Sequence, residues 1–209
     1  MITRRSRRES ARIRTSRRIR ALLAAGVVLG IGAASTLAAW TDQENASATL
    51  TAGTFGIVGA AGTDAFAEHP ASGPARLSFS VPTGGLMPGA TVYAKFTVKT
   101  TAQSAAGSVS LTAGAGTDGG LAQYLRYGVR QIAAGATCEK TSYDAGAVVV
   151  PHDSALATPT TPTTPAQSLG AAGANPVAYC FAVTLVASAP NDAQGKTASP
   201  AWIFTGQNA

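Results

Sequence analysis

The sequence predicts an all-β protein: a jelly-roll-like antiparallel β-sandwich of about eight or nine short strands in one domain, behind an N-terminal signal helix. Three observations carry that expectation. Beyond residue 40 no stretch holds a convincing helical period, whereas several hold a period of two. Gly (23) and Pro (11) are frequent, while charged residues make up only 12% of the chain. Val and Thr are plentiful, and their branched Cβ suits a pleated, half-buried surface.

The first strand is expected over residues 46–58, with Leu50 and Phe55 as apolar points and Gly53 as a bulge. A Gly/Ala/Pro loop follows at 59–75. Residues 77–81 alternate cleanly and stop at Pro82. Leu86-Met87-Pro88-Gly89 is a turn, because Pro presets φ and Gly admits the left-handed conformation. It leads into a strand at 91–99, with Val92, Ala94, Phe96 and Val98 inward and Tyr93, Lys95, Thr97 and Lys99 toward solvent. After a polar loop, residues 107–113 form a strand with Val109 and Leu111 inward, and AGAGTDGG reads as a loop. Residues 121–132 suit a short turn or helix and then a strand through Leu125, Tyr127 and Val129. An apolar run at 148–150 ends before Pro151. Residues 177–186 are apolar on both faces, as a central strand should be. A last strand at 201–205 carries Trp202 and Phe204.

The formal net charge of +6 suggests a nucleic-acid or membrane partner until its distribution is read. Nine of the 16 Lys and Arg fall in residues 1–20, against Glu9 alone. The remainder is mildly acidic and has no basic patch, so nucleic-acid binding lacks electrostatic support. Residues 1–38 read as a signal peptide: an Arg-rich n-region at 1–20, an apolar h-region at 21–34 and a cleavage region at 35–39. Thr36 and Ala38 place small side chains at −3 and −1 for a cut before Ala39. The competing reading is an uncleaved anchor, since about 18 apolar residues span a bilayer. Gly26, Gly30 and Gly32 weaken a helix there, and small residues crowd its end. The membrane is then met only through this segment. The Arg pairs also leave the twin-arginine route open beside the general one.

Residues 36–57, TLAAWTDQENASATLTAGTFGI, carry a resemblance. Small residues are followed by Trp40, the acidic Asp42 and Glu44, a β-prone run at 48–51, and Gly53-Thr54 before alternating apolar residues. This order resembles the signal-exit segment of the TasA/camelysin family, bacterial exported proteins processed by a SipW-type signal peptidase. Residues 86–115 are similar to the family's Pro-Gly turn, strand, polar loop, strand block. Residues 194–209 look like the closing strand of its actinobacterial members; residues 137–176 match nothing comparable. The resemblance implies a secreted jelly-roll protein of the cell surface or biofilm matrix, often a fibre subunit. Its partners would be the signal peptidase and identical or related subunits, the N-terminal segment of one completing the sheet of the next.

That assembly has a physical reading in these residues. A mature N-terminus bearing Trp40, Asp42, Glu44, Leu50, Gly53, Phe55 and Ile57 is extended and β-prone, and an open sheet edge accepts such a segment by strand addition. The alternative is that the segment pairs within its own domain, making a monomeric secreted binding module of adhesin or carbohydrate-binding type.

Cys138 and Cys180 both lie in the exported part, where an even count favours a structural disulfide over a redox or metal pair. Closing the long loop between them is worth roughly 4 kcal/mol in the chain-entropy model. That loop holds a Thr/Pro-rich insertion, 157–176, either glycosylated or simply flexible. No catalytic site, metal or cofactor is expected. Some camelysin relatives are described as metalloproteases, but zinc hydrolysis needs about three clustered ligands. This chain offers only His69 and His152, without HExxH. Asp42 and Glu44 lack the spacing of a calcium loop. Tyr124, Tyr127, Tyr143 and Tyr179 suit core or edge packing better than a sugar-binding face. N-terminal sequencing of protein released by its host is expected to begin at Ala39, or at Trp40 if the cut falls one residue later; an intact leader would make this an anchored surface protein.

Overall fold

The computed structural model describes residues 15–27, 42–158, 163 and 165–208. The chain divides into two units, Met1–Leu50 and Thr51–Ala209. In the first, residues 15–27 form helix α1, and residues 42–50 are exposed and carry no regular structure. The expected cleavage residues Thr36, Ala38 and Ala39, and Trp40 beyond them, lie outside the described residues. Among the described residues no helix is long and apolar enough to cross a membrane.

The second unit is a sandwich of two antiparallel sheets. Its elements are β1 (Ile57–Ala61), β2 (Thr91–Thr100), β3 (Gly107–Gly119), β4 (Leu125–Ile132), α2 (Lys140–Ala145), β5 (Ala147–Ala155), β6 (Gln167–Leu169), β7 (Val177–Leu185) and β8 (Thr197–Asn208). One sheet runs β1-β2-β7-β4-β5 and the other β6-β3-β8. The chain crosses between sheets from β2 to β3, β3 to β4, and at each step from β5 to β8. Such crossing is how jelly rolls fill two layers.

β7 is central, as its two-sided apolar pattern requires. Its inner residues Val177, Tyr179, Phe181, Val183 and Leu185 pack with Phe96, Val109, Leu111, Leu125, Tyr127 and Val129 between the sheets. Its outer residues Ala178, Cys180 and Ala182 form a second small core with Ile132 and Tyr143. Cys138 is bonded to Cys180 with their Cα atoms 5.2 Å apart, pinning residues 133–146 over this outer face. Lys95 Nζ holds the same excursion by donating to the carbonyls of Ala134 (2.7 Å) and Ala136 (2.8 Å). Tyr143 of α2 lies on the bare backbone of Gly128, stacks under the Arg130 guanidinium and shares a hydrogen bond with His152 Nδ1 (3.1 Å). Burial pushes the Tyr143 phenol above its ordinary pKa and keeps it neutral.

Several boundaries differ from those the sequence suggests. The first strand is 57–61 rather than 46–58, because β2 offers partners only from Thr100 back to Phe96; Gly59–Ala61 thus leave the expected loop. Residues 75–80 keep their alternation, with Ala75, Leu77 and Phe79 against the core, but make no ladder. Tyr93 is not a solvent residue: it packs against Tyr143, 5.8 Å between ring centroids. AGAGTDGG is strand, not loop, since β3 continues to Gly119 through a bulge opposite β8. A Cβ at Gly116 would lie 2.0 Å from the Ser199 carbonyl oxygen, so glycine marks close backbone approach there rather than a turn. β5 runs through Pro151, which an edge strand tolerates. Helix α2, six residues long, is too short for a periodicity argument. β6 lies inside the Thr/Pro-rich insertion.

A Cβ at Gly128 would lie 2.1 Å from the Tyr143 hydroxyl and 2.9 Å from His152 Cα. Gly128→Ala is therefore expected to cost about 1–3 kcal/mol. Thermal unfolding should show a melting temperature lower by about 2–4 °C per kcal/mol.

Candidate assembly segment and sheet edges

The residues expected to form the assembling strand separate into two groups. Asp42, Glu44, Leu50 and Gly53 lie in the exposed stretch, where Leu50 is 93% exposed. Phe55 and Ile57 are fastened to the sandwich. Between them Thr54 starts a latch: it bridges to Ser104, its hydroxyl donates to the Gln103 carbonyl (3.0 Å), and its carbonyl accepts from Ala105 N–H (3.0 Å). Gly56 continues it, donating to Ser104 Oγ (3.1 Å) and accepting from Thr101 N–H (3.0 Å).

The Phe55 ring explains where the latch sits. A Cβ on Gly107 would come within 2.5 Å of that ring, and one on Gly206 within 3.1 Å of it and 2.9 Å of Ile57. Two glycines on paired strands thus make a notch that admits the ring, which no larger residue would permit. Sequence reading grouped Phe55 with Leu50 because both are apolar, and nothing local signalled that only Phe55 has a notch to fill.

The four sheet edges are unequal. β1 is covered by its own loop, Gly59 exchanging both backbone hydrogen bonds with Ala67 at 3.0 Å. β5 is interrupted by register shifts against β4, contains Pro151, and has Asp153 at φ 66°. β6 is three residues long. β8 runs for 12 residues without a charged side chain, has Pro200 near its start, and among the described strands pairs with β3 alone. Short, bulged or covered edges are what soluble sheets present, and β8 is none of these.

The remaining candidates are structural in placement. Cys138–Cys180 is a disulfide, the mark of an oxidising compartment. Tyr127, Tyr143 and Tyr179 are buried, and burial raises the Tyr179 phenol well above its ordinary pKa. His69 packs edge-on to Phe96, while His152 lies on β5 beside Tyr143. Among the described residues no group of three or more His, Cys, Asp or Glu is gathered. A groove of about 210 Å³ between β5 and residues 163–167 is lined, among the described residues, without a charged group.

Phe55→Ala is expected to destabilise the domain by about 2 kcal/mol. Amide exchange at residues 56–61 should accelerate more than in β7, whereas Leu50→Ala should change neither.

No protein-family model matches the chain, and no curated protein matches it significantly.

Proposed function

We propose that this is an exported structural protein of the cell surface or biofilm matrix, a TasA/camelysin-like subunit that assembles through its N-terminal segment. One observation carries the reading: residues 42–53 form no strand and lie exposed, yet they end at a latch built to hold the chain at Thr54–Ile57. A β-prone, apolar-containing segment tethered to a folded domain and left without a partner is suited to strand addition on another sheet. The disulfide and the Arg-rich, apolar N-terminus support export. Removal of the leader by a SipW-type peptidase would release the segment. The function is not enzymatic on this reading.

A second reading has its own support. β1 pairs with β2 inside the chain, so part of the expected donor stays at home. A monomeric secreted binding module would need nothing more. The test compares secreted protein beginning at Ala39 with a variant beginning at Thr51, by negative-stain microscopy and thermal unfolding. The assembly reading expects filaments from the first, discrete particles from the second, and equal stability. Particles from both, at all concentrations, would sink it in favour of the module.

A further inference from the structure

An endopeptidase binds its substrate as an extended strand and needs several free residues on each side of the bond it cuts. Where a folded chain is nicked is therefore decided by burial and backbone hydrogen bonding, not by sequence alone. Residues 42–53 meet that need. They are exposed, carry no regular structure, and no backbone hydrogen bond joins them to other described residues. Within them Leu50 is the single large apolar side chain, 93% exposed, between the small neighbours Ala48, Thr49, Thr51 and Ala52. Residues 46–53 contain neither a charge nor a proline.

The other large apolar residues exposed in the described chain are each protected. Those at 19–27 belong to helix α1. Lys99 Nζ lies over the Phe66 ring, 4.1 Å from its centre, and the N–H that follows Phe66, that of Ala67, donates to the Gly59 carbonyl at 3.0 Å. Val81 and Met87 precede Pro82 and Pro88, so the bond beyond each lacks an N–H and carries a ring that obstructs a protease cleft. Val148 and Ile203 lie within β5 and β8, where the ladder holds the backbone. Phe55 is seated in its glycine notch. Everything that holds the sandwich together begins beyond Leu50: the latch at Thr54, β1 at Ile57, and the disulfide between Cys138 and Cys180. A cut there leaves every strand and crosslink in one piece.

We propose that the Leu50–Thr51 bond is a processing site for an endopeptidase with an apolar primary pocket, which releases the sandwich as an intact module. The Leu50 side chain fills the pocket, and the small residues on either side pass along the cleft. Water adds its hydroxyl to the Leu50 carbonyl carbon and a proton to the Thr51 nitrogen as the C–N bond breaks. This goes beyond the assembly reading and does not rest on it, because the bond is equally open in an anchored chain and in a monomer. Where residues 42–53 are engaged by a neighbouring subunit the bond is covered, so processing acts on unassembled chains.

The test digests the chain beginning at Ala39, dilute and unassembled, with chymotrypsin, whose primary pocket takes large apolar side chains, and follows the fragments by mass. One large early fragment is expected, running from Thr51 to Ala209 and melting near the temperature of the intact chain. Leu50→Lys should slow its appearance about tenfold or more, while Phe66→Ala should leave it unchanged. Supernatant from an aged culture of the host should contain the same Thr51 terminus beside the mature one. A first cut between residues 54 and 208, a segment 42–53 that resists digestion, or Leu50→Lys cut at this bond at the wild-type rate overturns the assignment. A Thr51 fragment that melts well below the intact chain overturns intact release. Absence of the Thr51 terminus from aged supernatant overturns processing in the host. None of these readouts depends on filaments, so the assembly reading stands or falls separately.

Discussion

Two-sided burial of β7 is the constraint from which the rest of the domain follows. A strand whose every side chain must leave water needs a layer on each face and a strand on each side. Its larger residues, Tyr179, Phe181 and Leu185, look into the sandwich, where Trp202 and Phe204 of the second sheet meet them. Its smaller ones, Ala178, Cys180 and Ala182, look outward, and only a thin cover fits over them. The excursion between β4 and β5 supplies that cover, and the disulfide fixes it at the middle of the strand. β2 and β4 then flank β7, and β1 and β5 are added outside them.

Features that depend on a side chain's own chemistry were legible in the sequence. The inward set Val92, Ala94, Phe96 and Val98, the double-faced run at 177–186 and the paired cysteines each identify their place without knowledge of a neighbour, whereas Tyr93 and Thr97, expected toward solvent, are covered. What stayed hidden depends on contact between distant residues. AGAGTDGG looks like a turn because glycine usually signals one, yet Gly116 and Gly119 are there to let β8 approach. The run at 77–81 has the pattern of a strand but pairs with no neighbouring strand among the described residues. Thr163, in a stretch expected to be irregular, binds both backbone groups of Leu111 and lengthens the β6 side of the sheet. Of residues 40–57, the apolar residues could be named, but the division between exposed Leu50 and seated Phe55 could not. That division is set by Gly107 and Gly206, far along the chain.

The chain separates its charges from its sheets. Most of its cations precede the apolar run at 21–34, and β8 and residues 46–52 have none. Uncharged edges associate readily, which is a hazard for an ordinary soluble domain and a requirement for a self-associating one. Protection is applied selectively here: Ala67 closes β1, irregular register closes β5, and brevity closes β6.

The glycine notch also bears on how tension would travel. In a chain of subunits joined through their N-terminal segments, pulling force enters each domain at Thr54. It passes along the axis of β1, which is antiparallel to β2 from Ile57 to Ala61. Load applied along a strand stretches its ladder bonds together, whereas load across it opens them one at a time. The Phe55 ring, wedged over Gly107 and Gly206, resists the first slip, and β2 hands the force to β7, whose centre is covalently fastened by Cys180. In an assembly of the proposed kind, the latch at Thr54–Gly56 would thus also be the mechanical coupling between one subunit and the interior of its own sandwich.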